Sequence, residues 1–321
     1  MLRARLATPE DYPGVMALGD VYDGLDYLGH LYPKYMKDPQ VHCFVVTLEE
    51  KVVAFSYIFV VDRGKTTILG GGRIKEDLRG KNVFRVLQVK LAEFLQENCK
   101  NSDDISTTWD SPTRLQIAKK RGEKILYKRG TTSFSTTSKD VASLLKTRTI
   151  RQLLPKFGES VKELSTTEAK EIMLSPEYRH LFPEGRINIF FEPYRLEEEN
   201  IDYFMKNYCR VFAHMDGNRC RALGCVTPCP CNAGLRLDFE FYGDQFDSFL
   251  LLMKEAIQVP LKSGYSGDIH VIPFYPETFD AGRVHRWVFT HCGWGLGPWF
   301  RHTDQLTVWH PQRAIQQKSK L

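Results

Sequence analysis

Residues 67–96 read TILGGGRIKEDLRGKNVFRVLQVKLAEFLQ, and the fold is decided in this stretch. It opens on an apolar run with strand character, Thr67-Ile68-Leu69, and passes through Gly70-Gly71-Gly72. It then reaches a charged turn, Arg79-Gly80-Lys81-Asn82, beyond which Val83, Val86, Leu87, Leu91, Phe94 and Leu95 recur at helical spacing. Strand, basic glycine turn and helix together are the layout of a phosphate cradle. A helix start offers free N–H groups and the positive end of the dipole, and Gly80 lets the backbone approach an anion closely. Alone, such a turn equally describes a basic loop capping a surface helix, so the elements around it must decide.

Upstream, residues 2–7 alternate like an edge strand, and Thr8-Pro9-Glu10-Asp11 reads as a helix start that carries Val15, Met16 and Leu18. Residues 22–32 are too aromatic for a plain linker and too rich in Gly and Asp for a long helix. Residues 41–48 and 52–61 read as strands joined by Glu49-Glu50-Lys51. Downstream, residues 104–109 form a short strand, Asp110-Ser111-Pro112 opens a helix over 113–120, and residues 125–134 return as a strand.

The chain then begins again. Residues 139–160 read as a basic linker helix ending at Pro155, and Ser165-Thr166-Thr167-Glu168 opens a further helix with a capping-box pattern. Residues 235–242 (LRLDFEFY) alternate, and a helix over 246–257 and a strand over 268–273 follow. This repeats the strand–helix–strand order of the first half without an Arg-Gly-Lys turn. The expected organisation is a first domain over residues 1–138, a linker helix over 139–160, a second domain over 161–311 and a flexible tail over 312–321.

The turn Arg79-Gly80-Lys81-Asn82 resembles the pyrophosphate loop of the GNAT acetyltransferase superfamily, Arg/Gln-x-x-Gly-x-Gly/Ala. Asn82 stands in place of the second glycine, and Asn tolerates positive φ better than most residues. The element order of about the first 140 residues, β-α-(α)-β-β-β-α-β-α-β, is also similar to a GNAT domain. Further segments resemble the two-domain histidine N-acetyltransferase family. These are Tyr22-Asp23-Gly24-Leu25-Asp26-Tyr27-Leu28, Asp38-Pro39, Leu174-Ser175-Pro176, Leu181-Phe182-Pro183 and Phe191-Glu192-Pro193-Tyr194-Arg195. The resemblance implies an α/β (α+β) chain: a GNAT acyltransferase fold followed by a degenerate GNAT-like α+β domain without a phosphate loop.

It also implies acetyl-CoA as co-substrate, with pantetheine in a cleft between two parting parallel strands. The phosphates fall to Arg79, Gly80, Lys81, Asn82 and Val83, and the thioester carbonyl to backbone at a bulged strand end, Gly72, Arg73 and Ile74. Lys119, Lys120 and Arg121 stand ready for a 3′-phosphate or as a solvated helix end. Candidates for moving protons are Asp110 and Asp26 as bases, and Tyr127 as the acid that meets the leaving thiolate. Ordered water would serve as well as either carboxylate. Tyr22, Asp26 and Tyr27 would orient the amine, or the tyrosines would simply pack their loop. Tyr194 and Arg195 suit a substrate carboxylate. One departure is plain: the family has a strand carboxylate near the position of Gly70, and this chain has glycine there.

Composition bounds the partners. The 321 residues carry a net charge of +5, which suits an anionic small molecule better than nucleic acid. No apolar run reaches membrane-spanning length and no secretory leader is expected, so the eight cysteines should stay reduced. Cys220, Cys225, Cys229 and Cys231 are spaced poorly for zinc, and no metal is expected. The aromatic stretch from Trp287 to Trp309 reads as a strand pair completing the second core. The final Ser319-Lys320-Leu321 matches a peroxisomal address, read by an import receptor. Without that address the location would be cytoplasmic. The expected activity is transfer of acetyl to the amine of a small molecule, such as the amino acid histidine. Transfer of a longer acyl group, or acyl-CoA binding without turnover, are the alternatives.

Overall fold

In the first half, strands rich in β-branched and aromatic residues pack against helix 83–98, whose apolar residues recur on one face. The computed structural model describes residues 1–19, 22–109, 112–153, 155, 158–297 and 304–310. Its contacts divide the chain into two units: Met1–Leu126 with Thr307–Leu321, and Tyr127–Leu306.

The first unit runs β1 (Leu2–Leu6), α1 (Tyr12–Met16), α2 (Leu28–Tyr35), β2 (Val41–Leu48), β3 (Lys51–Val61), β4 (Thr66–Ile74), α3 (Val83–Asn98), β5 (Asp103–Trp109) and α4 (Pro112–Arg121). Strands β1 to β4 form an antiparallel meander in sequence order. β5 joins β4 in parallel, over Thr66–Ile68 against Asp103–Ile105. Both strands run well past that ladder, to Ile74 and Trp109. One sheet face packs on α3, where Val83, Leu87, Leu91 and Leu95 meet Phe44, Val46, Ala54 and Ile58. Toward α2, Tyr32 lies 5.9 Å from Phe55 and Tyr35 lies 5.1 Å from Tyr57, centroid to centroid.

β4 carries a bulge. Phe55 faces Arg73 and Tyr57 faces Gly70, so Gly71 and Gly72 together oppose Ser56. The Ser56 hydroxyl donates to the Gly70 carbonyl at 2.8 Å. The extra residue resets the strand's alternation. Leu69 and Ile74 are an odd number of residues apart, yet both pack on the α3 core.

The second unit contains β6 (Lys124–Thr131), which crosses the division, β7 (Phe134–Thr137), α5 (Ser138–Leu144), α6 (Arg148–Arg151), β8 (Glu159–Glu163) and α7 (Thr166–Met173). Next come β9 (Arg186–Ile189), β10 (Glu192–Arg195), α8 (Glu198–Asn207), β11 (Arg210–Asp216), β12 (Arg219–Cys231), β13 (Gly234–Tyr242) and α9 (Phe246–Ala256). α10 (Val259–Lys262), β14 (Asp268–Pro276), α11 (Ala281–Trp287), β15 (Gly295–Leu296) and β16 (Asp304–His310), which crosses the division again, complete it. The sheet order is β8-β11-β12-β13-β14, with β6 and β7 antiparallel on β14. β13 and β14 are parallel and stay paired from Leu235–Ile269 to Glu240–Phe274. The capping box at Ser165 and Glu168 forms as the sequence indicates.

Three expectations are modified. The division falls at 126/127, ahead of 138, because β6 and β7 pair with β14 and so belong to the second core. The 139–160 stretch holds two short helices and the start of β8, since Thr147 caps a new helix at Arg148. The aromatic stretch opens as helix over Val288–Cys292 before its strands. β13 alternates in sequence as expected, and its polar residues Arg236, Asp238 and Glu240 are fully buried. Arg236 pairs with Asp238 at 2.5 Å, and Arg129 with Glu240. Burial nonetheless pushes the Glu240 carboxyl up to about 8, against the pull of Arg129. Phe190 and Phe191 form the β9–β10 turn, both at positive φ, with the Arg236 guanidinium 4.5 Å from the Phe190 ring.

The bulge makes a direct prediction. A Cβ at position 70 would run into the Tyr57 ring, which already lies against Gly71. Gly70→Ala should cost about 1–3 kcal/mol by overpacking. Combined with Tyr57→Ala, the same change should cost at least about 1 kcal/mol less. Chemical denaturation of the four variants measures the cycle, and an unchanged midpoint for Gly70→Ala would refute the packing argument.

Candidate functional site

The start of α3 is built by local chain chemistry. A short 3₁₀ turn, Glu76–Leu78, ends with the Arg79 N–H on the Glu76 carbonyl at 3.2 Å. Gly80 follows at φ +79° and Asn82 at φ +61°, the left-handed geometry that Asn tolerates. The chain turns at these two residues and α3 begins at once; the Lys81 N–H is spent on the Leu78 carbonyl at 3.2 Å, so the N–H groups left for a ligand are those of the first turn of α3. Val83 is buried in the core and pins this end, while Arg79, Gly80, Lys81 and Asn82 are exposed. A Cβ at Gly80 would meet nothing within 4 Å, so its backbone is open to an incoming group. Two cationic side chains, a helix N-terminus and an open glycine thus share one surface, chemistry suited to a pyrophosphate.

The parted ends of β4 and β5 and the bulge lie in the same unit. The bulge sets Gly71 and Gly72 together against Ser56, so the regular β3–β4 ladder is interrupted there. Gly72 has open space beside its Cα, so a carbonyl has room to approach there.

Arg73 behaves differently from the expectation. Backbone was the expected contributor, but the side chain is the notable part. It turns inward, almost fully buried, and grips both Asp26 oxygens at 2.6 and 2.7 Å. The rings of Tyr27 and Tyr22 flank the guanidinium at 5.5 and 5.9 Å. Burial opposes the Arg73 charge, but Tyr27, Asp26 and Tyr22 outweigh it, and its pKa is raised. One Asp26 oxygen also accepts from the Leu28 N–H at 2.9 Å, tying the pair to the start of α2. Tyr32 is buried, with its hydroxyl on the Thr8 carbonyl at 2.6 Å. Tyr22, Asp26, Tyr27 and Arg73 therefore form one cluster that fastens the 22–28 loop to β4. The sequence signal was a single arginine inside an otherwise small and apolar strand.

The other candidates are dispersed. Asp110 lies outside the described residues, as does Ser319-Lys320-Leu321. Tyr127 sits on β6 in the second unit, and its hydroxyl donates to the Asn188 side chain. Tyr194 is a core residue of that unit, its ring 5.7 Å from Phe204. Arg195 sits beside it on β10, its carbonyl accepting from Asn200 at 2.9 Å. Lys119, Lys120 and Arg121 form the exposed last turn of α4. Cys220, Cys225, Cys229 and Cys231 all lie along β12.

Comparison with known proteins agrees with this architecture. No family model matches the chain. Among solved structures, a tandem GNAT protein from the clavulanic acid biosynthesis pathway superposes with a TM-score of 0.57 at 11% identity, covering 97% of this chain and 98% of that one. The fold is that of the tandem GNAT proteins. A GCN5-related N-acetyltransferase from Sphaerobacter thermophilus gives 0.56 at 12%, covering 97% and 96%. By sequence, the human protein named "Probable N-acetyltransferase 16" is 27% identical over 203 residues, 61% of this chain and 54% of that protein. A histidine N-acetyltransferase of Oreochromis niloticus is 34% identical over 96 residues, 30% of this chain and 28% of that one. The chain therefore spans about half of the first relative and under a third of the second.

If the Arg73–Asp26 pair fastens the loop, removing one partner strands a buried charge. Asp26→Ala should lower stability by about 3 kcal/mol and open the 22–28 loop to limited proteolysis. Unchanged stability together with an unchanged cleavage pattern would show the pair to be incidental.

Proposed function

We propose that the chain is an acetyl-CoA-dependent N-acetyltransferase acting on the amine of a small molecule, with free amino acids, histidine among them, as the acceptors to try first. The observation that carries this is the exposed basic turn Arg79–Asn82 at the start of α3, in the unit whose parallel strands β4 and β5 part early. The relatives named as histidine N-acetyltransferases support the acceptor class. CoA phosphates would rest on the Gly80–Val83 backbone with Arg79 and Lys81, and the thioester carbonyl on the N–H groups near Gly72. The amine nitrogen attacks the carbonyl carbon, the C–S bond breaks, and CoA leaves as thiolate.

Tyr57 fills the space beside Gly70 and Gly71, which supports a short acyl group over a long one. Asp26 is committed to Arg73 and Tyr127 to Asn188, which supports water as the proton acceptor. On that reading kcat/KM rises with pH in step with the neutral fraction of the amine.

The test is release of free CoA thiol from acetyl-CoA and longer acyl-CoAs against a panel of amino acids and amines. Turnover with acetyl-CoA and one acceptor class is expected, and Arg79→Glu should reduce CoA binding at least about a hundredfold while the fold persists. Tight CoA binding with no thiol release across the panel would overturn the enzymatic reading in favour of an acyl-CoA-binding protein. Unchanged CoA binding by Arg79→Glu would overturn the cradle.

A further inference from the structure

The second unit holds a cavity of about 400 Å³ that acetyl transfer in the first unit does not use. It opens at the start of α9, beside the ends of β8, β11 and β12, and its size is in the range of small-molecule pockets. Its chemistry is set by Glu159, His214, Arg221, Asp247 and Ser248 over an apolar patch from Leu251.

His214 is the fixed point. Its side chain is 4% exposed, and its Nδ1 lies 2.9 Å from the Ser248 hydroxyl, itself buried on α9. The ring is therefore held in one orientation. Its buried Nε2 makes no hydrogen bond and faces Glu159, whose Oε2 is 3.3 Å away. Glu159 and His214 share a sheet face because Glu159 pairs with Asp216 and Val161 pairs with His214, two residues along each strand. Arg221 lies on the neighbouring strand, anchored by Asp216 but half exposed, with guanidinium N–H groups to spare.

These charges narrow the ligand. The N–H groups at the start of α9 would ordinarily attract an anion, but Asp247 occupies the first turn and Glu159 faces the same space. A phosphate would meet two carboxylates, and among the described residues no group of His, Cys, Asp and Glu is arranged to hold a metal ion. A molecule with a cation for Glu159 and Asp247, a carboxylate for Arg221 and a small apolar body for Leu153 and Leu251 fits these walls, with Gln152 and Gln245 as further polar contacts.

We infer that this cavity is a second binding site, for a free zwitterionic α-amino acid, in the unit that lacks the phosphate cradle. It is filled without acyl chemistry, so it stands or falls separately from the acetyltransferase reading.

The experiment is isothermal titration calorimetry on the full chain without any acyl-CoA. The probes are the common free α-amino acids, each beside its decarboxylated amine and its N-acetyl derivative. At least one amino acid should bind with a Kd below about 1 mM, and its amine and N-acetyl forms should bind at least about tenfold more weakly. Glu159→Gln and Arg221→Ala, both at partly exposed positions, should each weaken it at least about tenfold at an unchanged melting temperature. Asp26→Ala, in the first unit, separates this site from an acceptor site there and should leave this binding intact. Failure of every amino acid to bind, equal binding of the amine or N-acetyl form, or indifference to both second-unit variants would overturn the assignment.

Discussion

The Tyr57 ring lies where side chains at positions 70 and 71 would otherwise go, and much of the first unit follows from that steric fact. Only glycine fits beneath the ring, so the strand can take an extra residue there, and the bulge at Gly71–Gly72 sets the alternation of everything after it. Ile74 returns to the α3 core, Arg73 turns to the opposite side and finds Asp26, and the chain leaves β4 aimed at the basic turn. A packing constraint on one tyrosine is thereby linked to the loop that would cover an acceptor and to the turn that would hold a phosphate.

The two units use the same strand order for different physical ends. In the first, the parallel ladder ends at Ile68 and Ile105 while both strands continue, and the helix after β4 is preceded by exposed Gly80, Lys81 and Asn82. In the second, the corresponding parallel pair is joined nearly to its end, which leaves no comparable parting among the described residues. Its helix begins Gln245-Phe246-Asp247, with an acidic side chain where a phosphate would need none. The second unit instead spends polarity inside its sheet, where Arg236–Asp238 and Arg129–Glu240 are sealed from water. Such pairs cost desolvation, and taking away one partner is what makes them expensive.

Much of the fold was legible because its signals are local. The apolar spacing of α3, the turn residues at Asp62–Lys65, the cap at Ser165 and the alternation of β13 each depend on neighbours in sequence. The positive φ of Asn82 was legible for the same reason. What was not legible depends on pairing across the chain. Nothing near Glu240 announces that Arg129 will cover it, and nothing near Arg73 announces Asp26. The residues 139–160 looked like one helix because their spacing is nearly helical, although Thr147 restarts the chain in a new direction. That Tyr194 packs in a core was not legible either, because sequence does not distinguish a tyrosine in a core from one at a surface; burial does.

The central claim is that the α3 start is the phosphate cradle and the α9 start is not. Hydrogen exchange on the full chain with and without CoA measures this most directly, because both helix starts report at once. Slowed exchange over residues 80–85 on adding CoA, with no change over residues 243–249, is the expected result. Protection at the α9 start, or none at the α3 start under conditions where CoA binds, would contradict it.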